Sequence, residues 1–225
     1  HDAILLPKVF ETGYGKAPNI NRQSKAGKEA YAEAILSLEA KILFKEDDWE
    51  TIINIRDAVL SHETISSIMK QGLPEVTFFA IDPITRILLK CRTDFVILED
   101  PFILDFKTTP DPRILKFRKK VAELNYDRAG AFYLDVVSGA TGKKFTNFVL
   151  IPIGKKSPHD INLFPLGEKS IEVGRALCRR EIGKYQNLLN DINGSHNFQN
   201  FKKRYHNIFF EVLEIPSYAT KLESR

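Results

Sequence analysis

Two aspartates that lie inside apolar, strand-like segments constrain the fold of this chain more than any other feature of its sequence. Asp94 comes directly before Phe95 and Val96, and Asp105 lies between Leu104 and Phe106. A carboxylate in an apolar strand is costly to desolvate unless it is paired or binds a metal. Two such residues in neighbouring strands therefore indicate a cation site built into a sheet.

Lys107 adds a positive charge to this pair. It lies two residues after Asp105, and because side chains alternate along a strand, both point to the same face. The three residues supply what phosphodiester hydrolysis requires: hard oxygen ligands for Mg²⁺, and a fixed cation that orients water and stabilises developing charge. Alone, an Asp-x-Lys pattern is more typical of a surface ion pair, and the set is also compatible with a buried ion-pair cluster.

The order of the predicted elements is helices, three strands, two helices, one strand and one helix. Apolar residues at helical spacing predict a helix over 24–45, a second one after Asp47 and Asp48, and a short one from about His62 to Gly72. Turn signals at Asp-Pro divide three segments rich in β-branched and aromatic residues, which predict an antiparallel meander over 75–82, 85–99 and 102–107. Helices over 113–124 and 126–137, a strand over 145–153 and a helix over 168–189 follow. The tail from 193 is less regular, with 211–215 as a candidate strand.

We therefore predict an α/β fold with a small mixed central sheet, flanked by helices from both ends of the chain and carrying the site along one edge. A chain of 225 residues suits a single domain. We divide it into a helical N-terminal part (1–72), a sheet core (73–192) and a C-terminal tail (193–225). The apolar segment that follows His1 at once predicts that the chain starts inside a folded domain.

Composition excludes several classes of protein. Apolar residues make up 43% and charged residues 28%, which is typical of a globular protein. No apolar run approaches the length of a membrane span and no signal peptide is evident, so we predict a soluble intracellular protein without a membrane partner. Cys91 and Cys178 suffice neither for a disulfide framework nor for a zinc site.

Charge gives a weaker indication of a polyanionic partner. The formal net charge of +4 is too small to establish one. Basic residues nevertheless cluster locally, in three runs: Lys116, Arg118, Lys119 and Lys120; Arg179 and Arg180; Lys202, Lys203 and Arg204. Each run taken alone is explained by a solvated helix face.

The context of the aspartates resembles a known family of nucleases. Arg92-Thr93-Asp94 is followed in the next predicted strand by Ile-Leu-Asp-Phe-Lys-Thr-Thr over 103–109. This resembles the exonuclease domain of RecE and, more distantly, lambda exonuclease and the nuclease domain of RecB, all of the PD-(D/E)xK superfamily. Such domains carry an RxD element and then a strand ending in D-(F/L/Y)-K-(T/S). The resemblance extends to His1, Leu5, Pro7, Phe10, Glu75, and the segments 126–134, 145–152 and 213–219.

The resemblance implies roles for particular residues. Asp94, Asp105, Lys107 and Glu75 correspond to the catalytic set. A metal, Mg²⁺ or Mn²⁺, is expected between Asp94 and Asp105, with His1 and the carbonyl of Phe106 as further ligands. We expect DNA contacts from the following residues: Lys90, Arg92, Thr108, Lys116, Lys119, Tyr126, Arg128 and Tyr133.

The activity that the resemblance implies is magnesium-dependent, processive degradation of linear double-stranded DNA, 5′ to 3′, which leaves 3′ single strands for recombination by annealing. The family forms closed rings around DNA, so a homo-oligomer is expected, with a single-strand annealing protein as a partner. The expected setting is the cytoplasm of a bacterial host, with the gene carried by a phage or prophage.

Other interpretations remain open at this point. Glu75 also fits a strand cap, Tyr126 and Tyr133 fit plain core aromatics, and Lys90 and Arg92, which strand parity places on the face of Asp94, also fit charge balance for the carboxylates. His1 also fits a disordered end or tag remnant. An iron–sulfur nuclease of the same superfamily requires four thiolates, which two cysteines cannot supply.

Ala129 marks the one departure from the family pattern. The helix usually reads Y-x-x-Q-x-x-x-Y, and aligning Tyr126 and Tyr133 leaves Ala129 where Gln is expected. Weakened activity, a different way of holding substrate and an engineered change are all compatible with it. A non-catalytic DNA-binding module is the alternative function, and the complete set of Asp94, Asp105 and Lys107 argues against it.

Overall fold

The N-terminal part is mostly helical and encloses a small parallel sheet. The structure, a computed structural model, describes residues 1–36, 38 and 42–195, with side chains described as far as 190. The helices are α1 (Asp2–Leu5), α2 (Pro7–Gly13), α3 (Lys25–Leu36), α4 (Glu46–Ser61) and α5 (Glu63–Met69). The strands β1 (Tyr14–Lys16) and β2 (Ile42–Phe44) pair in parallel. An aromatic stack of Phe10 with Tyr14 and Trp49, and of Tyr14 with Phe44, holds these elements together.

A mixed sheet forms the centre of the described part of the chain. Its strands are β3 (Leu73–Ile81), β4 (Leu88–Ile97), β5 (Phe102–Thr109), β6 (Asn147–Gly154) and β7 (Phe164–Pro165), in the spatial order β3-β4-β5-β6-β7. The first three strands are antiparallel, as the meander predicts, while β5 and β6 are parallel. A parallel pair requires a long crossover, which α6 (Ile114–Glu123) and α7 (Tyr126–Thr141) supply. The predicted α/β class with a mixed, helix-flanked sheet is confirmed.

The sheet has one apolar core on each face. On one face, Ile103 of β5 packs with Leu134 and Val137 of α7. On the other, Leu104 and Phe106 of β5 pack with α1, α4 and α5. Because neighbouring residues of β5 point to opposite cores, the side chains of Asp105 and Lys107 fall on the α7 side of the strand. The alternation of side chains along β5 therefore places Asp105 and Lys107 on the face of the sheet that packs against α7.

The long helix α8 (Glu168–Ser195) closes the described part of the chain. The chain divides into two compact units, one over His1–Arg179 and the other over Arg180–Arg225. The prediction of one domain in three parts is not tested by this division. Among the residues that the structure describes, no helix is long and apolar enough to cross a membrane.

Three predicted boundaries are corrected. The helix predicted over 24–45 ends at Leu36, and 42–44 form β2 instead, because its backbone pairs with β1. The strand predicted over 85–99 begins at Leu88, because the Asp82 carboxylate accepts hydrogen bonds from the backbone N–H groups of Ile84 and Thr85 and holds that stretch in a turn. The helix predicted to end at 137 continues to Thr141. The predicted late strand over 211–215 lies outside the described residues.

Candidate active site

The two aspartates lie where the β4–β5 ladder ends. The ladder runs from Ile97–Phe102 to Phe95–Leu104, and the next residue on each strand is Asp94 or Asp105. Beyond that point a side chain replaces the backbone acceptor, since the Phe106 N–H donates to Asp94 Oδ2 over 2.8 Å. The end of a ladder thus places two carboxylates side by side in the interior of the sheet.

Asp94 also lies at a change of phase along β4. Thr93 is paired with Val76, which packs on the α7 side of the sheet, whereas Phe95 belongs to the opposite core. In a regular strand residues two apart share a face, so the alternation changes at Asp94. Strand parity therefore cannot place Lys90 and Arg92 relative to Asp94, but Arg92 reaches the cluster through its ion pair with Glu75.

Glu75 lies opposite Asp94 on β3. Pro74 pairs with Phe95 and Val76 with Thr93, which leaves Glu75 facing Asp94 between these pairs. Its φ is +52°, in the left-handed region that non-glycine residues rarely adopt. Arg92 Nε lies 2.7 Å from Glu75 Oε2. A strained backbone therefore brings a third carboxylate to the two aspartates.

His1 reaches the site from α1. Ile4 and Leu5 of this helix are buried in the core beneath β5, and Tyr14 donates a hydrogen bond to Asp2 over 2.5 Å. His1 Nε2 lies 2.9 Å from the carbonyl oxygen of Phe106 and 3.4 Å from Asp94 Oδ2. Both oxygens are acceptors, so Nε2 either donates a proton to them or shares a cation with them.

Lys107 pairs mainly with Asp105. Its Nζ lies 2.5 Å from Asp105 Oδ2 and 3.9 Å from Asp94 Oδ2, and it donates to the carbonyl oxygen of Phe106 over 3.3 Å. The same Nζ lies 5.4 Å above the ring of Tyr126. The ammonium group is thus held between the two aspartates and the first turn of α7.

Burial makes the carboxylates of the site less acidic. Burial raises the pKa of Asp94, although Lys107 and the Phe106 N–H act in the opposite direction. Burial also raises the pKa of Asp105 to about 6, against the effect of Lys107 and with a further increase from Asp94. For Glu75, burial raises the pKa, Arg92 lowers it and Asp94 raises it again. Burial is thus the main reason that the pKa values of these carboxylates are raised, and repulsion from Asp94 adds to the rise for Glu75 and Asp105.

One group of side chains in the described part of the chain has the spacing of a metal site. His1, Glu75 and Asp94 each offer a ligand atom, and these atoms lie within 4.8 Å of one another. Asp105 stands beside this group in its ion pair with Lys107. Glu75, which sequence patterns also assign to a strand cap, thus belongs to the same cluster as His1 and Asp94.

The residues predicted to contact DNA fall at different distances from the cluster. Arg92 reaches it through Glu75, and Thr108 lines a cavity with His1 and Phe106. Lys116 and Lys119 are exposed on α6, while Lys90 Nζ lies 5.7 Å above the ring of Phe79. Arg128 lies on α7, with its Nε buried and unpaired among the described residues. The DNA contacts of all these residues stay predictions.

Tyr126 and Tyr133 of α7 pack in the core and lie next to the site. Tyr126 tilts against Phe117, and Tyr133 meets Phe148 edge to face. Burial raises the pKa of Tyr133, and the charge of Asp105 raises it further. Ala129, one turn after Tyr126, is exposed, so the replacement of the expected Gln leaves no gap in the core.

Sequence reasoning missed the supports of this cluster. The Tyr14–Asp2 hydrogen bond and the left-handed backbone of Glu75 carry no sequence signal, since neither glycine nor a spacing motif marks them.

A mixed sheet with an Asp, Asp-x-Lys and Glu cluster at the end of a ladder defines the class of PD-(D/E)xK nuclease folds. The model of the family described as "PDDEXK-like domain of unknown function (DUF3799)" matches residues 8–197. The chain belongs to this family, and its assignment to the PD-(D/E)xK superfamily is confirmed.

A solved structure supports the fold. The chain is similar to a crystal structure of a candidate exonuclease from Eubacterium rectale, with a TM-score of 0.53 and 17% identity over 89% of this chain and 75% of that chain. A crystal structure of the protein SSO0001 aligns with a TM-score of 0.34 and 19% identity over 69% of this chain and 67% of that chain. No curated protein matches the chain.

Proposed function

We propose that this protein is a metal-dependent deoxyribonuclease that hydrolyses phosphodiester bonds from the ends of linear double-stranded DNA. The observation that carries the proposal is the convergence of His1, Glu75 and Asp94 beside the Asp105–Lys107 pair. The proposed direction is 5′ to 3′, which leaves 3′ single strands for recombination by annealing. A ring of identical chains and a single-strand annealing protein complete the proposal.

The donor set fits a divalent cation. Carboxylate and carbonyl oxygens are the ligands that Mg²⁺ prefers, and an imidazole nitrogen beside them suits Mn²⁺ as well. His1, Asp94 and the carbonyl of Phe106 would hold the ion, with Glu75 and Asp105 as the adjacent carboxylates. When bound, the ion would polarise the scissile phosphate and lower the pKa of a water.

The chain's own groups orient the reactants around that position. Lys107 supplies a fixed positive charge beside the phosphate, where negative charge develops at the transition state. Asp105 holds the ammonium group at 2.5 Å and so fixes its direction. Arg92 neutralises Glu75, which reduces the repulsion that an approaching phosphate would meet.

The first test is cleavage of linear duplex DNA with Mg²⁺ or Mn²⁺. We expect Asp94→Asn to abolish cleavage and to leave DNA affinity unchanged or tighter, because it removes a metal-ligand charge that also repels phosphate. Asp100→Asn, an exposed aspartate in the turn after β4, is the matched control. Unchanged turnover of Asp94→Asn would refute the proposed active site.

The same assay separates the finer parts of the proposal. Duplexes labelled at either 5′ or 3′ ends report the direction of degradation, and a closed circular duplex reports the requirement for an end. Binding of DNA without cleavage in either metal would instead favour a non-catalytic DNA-binding member of the fold. Light scattering of the protein with and without duplex DNA measures the proposed ring.

A further inference from the structure

The β3–β4 hairpin has one face that the rest of the described chain leaves open. On this face, which we call the hairpin outer face, three cross-strand pairs are exposed: Thr77 with Arg92, Phe79 with Lys90, and Ile81 with Leu88. Phe79 is 53% exposed, Ile81 55% and Leu88 64%. Large apolar side chains that lie together at this exposure are unusual on a protein surface and mark a contact site.

The opposite face of the hairpin shows that this exposure is a property of one side only. Val76, Phe78 and Ala80 of β3, with Leu89 and Cys91 of β4, belong to the core beneath α7. Strand alternation therefore directs every second residue into the core and every other one to solvent. One face of the hairpin therefore packs beneath α7, and the hairpin outer face is exposed among the described residues.

The charges on the hairpin favour a polyanion. Between Glu75 and Asp94, which belong to the cluster of the site, residues 76–93 contain one carboxylate, Asp82, and three cations, Arg86, Lys90 and Arg92, of which Arg92 is paired with Glu75. Asp82 is 1% exposed and is paired with Arg179. All the exposed charges of segment 76–93 are therefore positive, which favours a partner with negative charge, such as a phosphate backbone.

Asp82 also makes the hairpin rigid. Its Oδ1 accepts hydrogen bonds from the backbone N–H groups of Ile84 and Thr85 and from the Thr85 hydroxyl, while Arg179 of α8 binds Oδ2. A buried, fully bonded carboxylate fixes both the turn and the direction in which the hairpin projects. A rigid surface loses little conformational entropy when it binds a partner.

The hairpin outer face is continuous with the candidate active site. Arg92 lies on this face and binds Glu75, which is the carboxylate opposite Asp94. Two residues along the strand, Lys90 places its ammonium group 5.7 Å above the ring of Phe79. A strand of DNA whose phosphate lies at the cluster would thus meet a cation and then an exposed aromatic ring.

We propose that the hairpin outer face binds unpaired DNA, with bases stacked on Phe79 and packed on Ile81 and Leu88, and with phosphates held by Lys90 and Arg92. Alternating cations and exposed apolar rings suit single-stranded nucleic acid, because an unpaired base offers both a free ring face and a phosphate. Paired bases inside a duplex offer the phosphates alone. This proposal rests on the proposed function, since it supplies the surface along which a strand reaches that site.

The test is the affinity for a fluorescent single-stranded oligonucleotide, measured by anisotropy in Ca²⁺. Stacking of one base on an aromatic side chain corresponds to roughly 5- to 150-fold in affinity, so Phe79→Ala is expected to weaken binding by about that factor. Leu60→Ala on α4, which removes an apolar side chain of comparable exposure (45% against 53%), is the matched control. The slope of log affinity against log salt concentration is negative, and Lys90→Ala is expected to reduce its magnitude by about 0.7.

A second readout reports the stacking itself. An oligonucleotide that carries 2-aminopurine is expected to change its fluorescence on binding to the unsubstituted protein and to lose most of that change with Phe79→Ala. Equal affinity and equal fluorescence for the Phe79 and Leu60 variants would overturn the proposal. A change of oligomeric state in Phe79→Ala, with single-strand affinity unaltered, would also overturn it and would assign the face to contacts between copies of the chain.

Failure of this proposal is distinguishable from failure of the proposed function. If the protein cleaves duplex ends and Phe79→Ala binds and cuts as well as the control, the hairpin proposal fails and the nuclease stands. If the protein cleaves no DNA in Mg²⁺ or Mn²⁺ but loses single-strand affinity with Phe79→Ala, the hairpin proposal stands and the nuclease fails.

Discussion

Glycine and alanine at position 75 separate backbone strain from carboxylate charge. Both substitutions remove the Glu75 side chain, its ion pair with Arg92 and its repulsion from Asp94. They differ in one respect, because alanine retains a Cβ at a backbone φ of +52° and glycine does not. The difference in stability between the two variants therefore reports the strain, offset by the greater freedom of glycine in the unfolded chain.

The expected difference follows from two opposing effects. A residue with a Cβ in the left-handed region costs about 1–2 kcal/mol, whereas glycine costs about 0.5–1 kcal/mol through the greater freedom of the unfolded chain. Glu75→Gly is therefore expected to be more stable than Glu75→Ala by about 0.5–1 kcal/mol. At Thr77, two residues along the same strand and without a positive φ, the order reverses and alanine is more stable than glycine by a similar amount.

The measurement is the midpoint of urea unfolding for the four variants, with the slope compared to verify that the unfolded states match. A difference of this size shifts the midpoint by a few tenths molar for a slope of about 2 kcal/mol per molar. If Glu75→Gly is the less stable of its pair, as at Thr77, the backbone of Glu75 is unstrained and the reasoning is wrong. Under the proposed function, both Glu75 variants also lose cleavage, whichever of the two is the more stable.

Two further predictions concern Lys107 and Asp82. Lys107→Ala is expected to lower the rate of single-turnover cleavage by about 10²–10³-fold with little loss of DNA affinity in Ca²⁺, because a donor to developing charge acts at the transition state. An equal loss of rate and affinity would instead show that Lys107 only binds a phosphate of the substrate. Burial raises the pKa of Asp82, but hydrogen bonds from Thr85 and Arg179 outweigh it and bring the pKa to about 2. The resulting stabilisation of about 2 kcal/mol is present above about pH 4 and is lost as the pH falls towards 2. In a plot of the unfolding midpoint against pH, Asp82→Asn is therefore expected to reduce the fall at acid pH. Asp57→Asn, at an exposed aspartate, is the control and is expected to leave that fall unchanged.

The sequence carried strong signals for the central sheet and its helices. The meander was predictable because Asp-Pro turns separate β-branched segments, and α7 because its apolar residues recur at helical spacing. The three-residue strand β2 was not, because a segment so short is decided by its partner β1 and not by its own pattern. Its apolar residues continued the helical period of α3, which extended the predicted helix too far.

The site was predictable in its residue types and less so in its geometry. The sequence predicts the catalytic residues Asp94, Asp105 and Lys107, because charged residues lie in apolar strands and match the Asp-x-Lys motif. Strand parity could not place Lys90 relative to Asp94 because β4 changes phase at Asp94, and no local sequence pattern reports such a change. The group of His1 with Glu75 and Asp94 depends on contacts between residues far apart in the chain, which only the assembled fold provides.

The charge of the cluster links its strain to its chemistry. Glu75, Asp94 and Asp105 contribute three negative charges, against two positive charges from Arg92 and Lys107, and burial raises the pKa of all three carboxylates. A net charge of about −1 in a buried site repels a phosphodiester and favours a cation. A bound divalent ion would reverse the sign to about +1, which matches the single charge of a scissile phosphate. The left-handed backbone of Glu75 brings a third carboxylate towards Asp94, and a bound cation would relieve the resulting repulsion. Under the proposed function, the strained backbone and the net negative charge therefore both favour binding of the metal before the substrate.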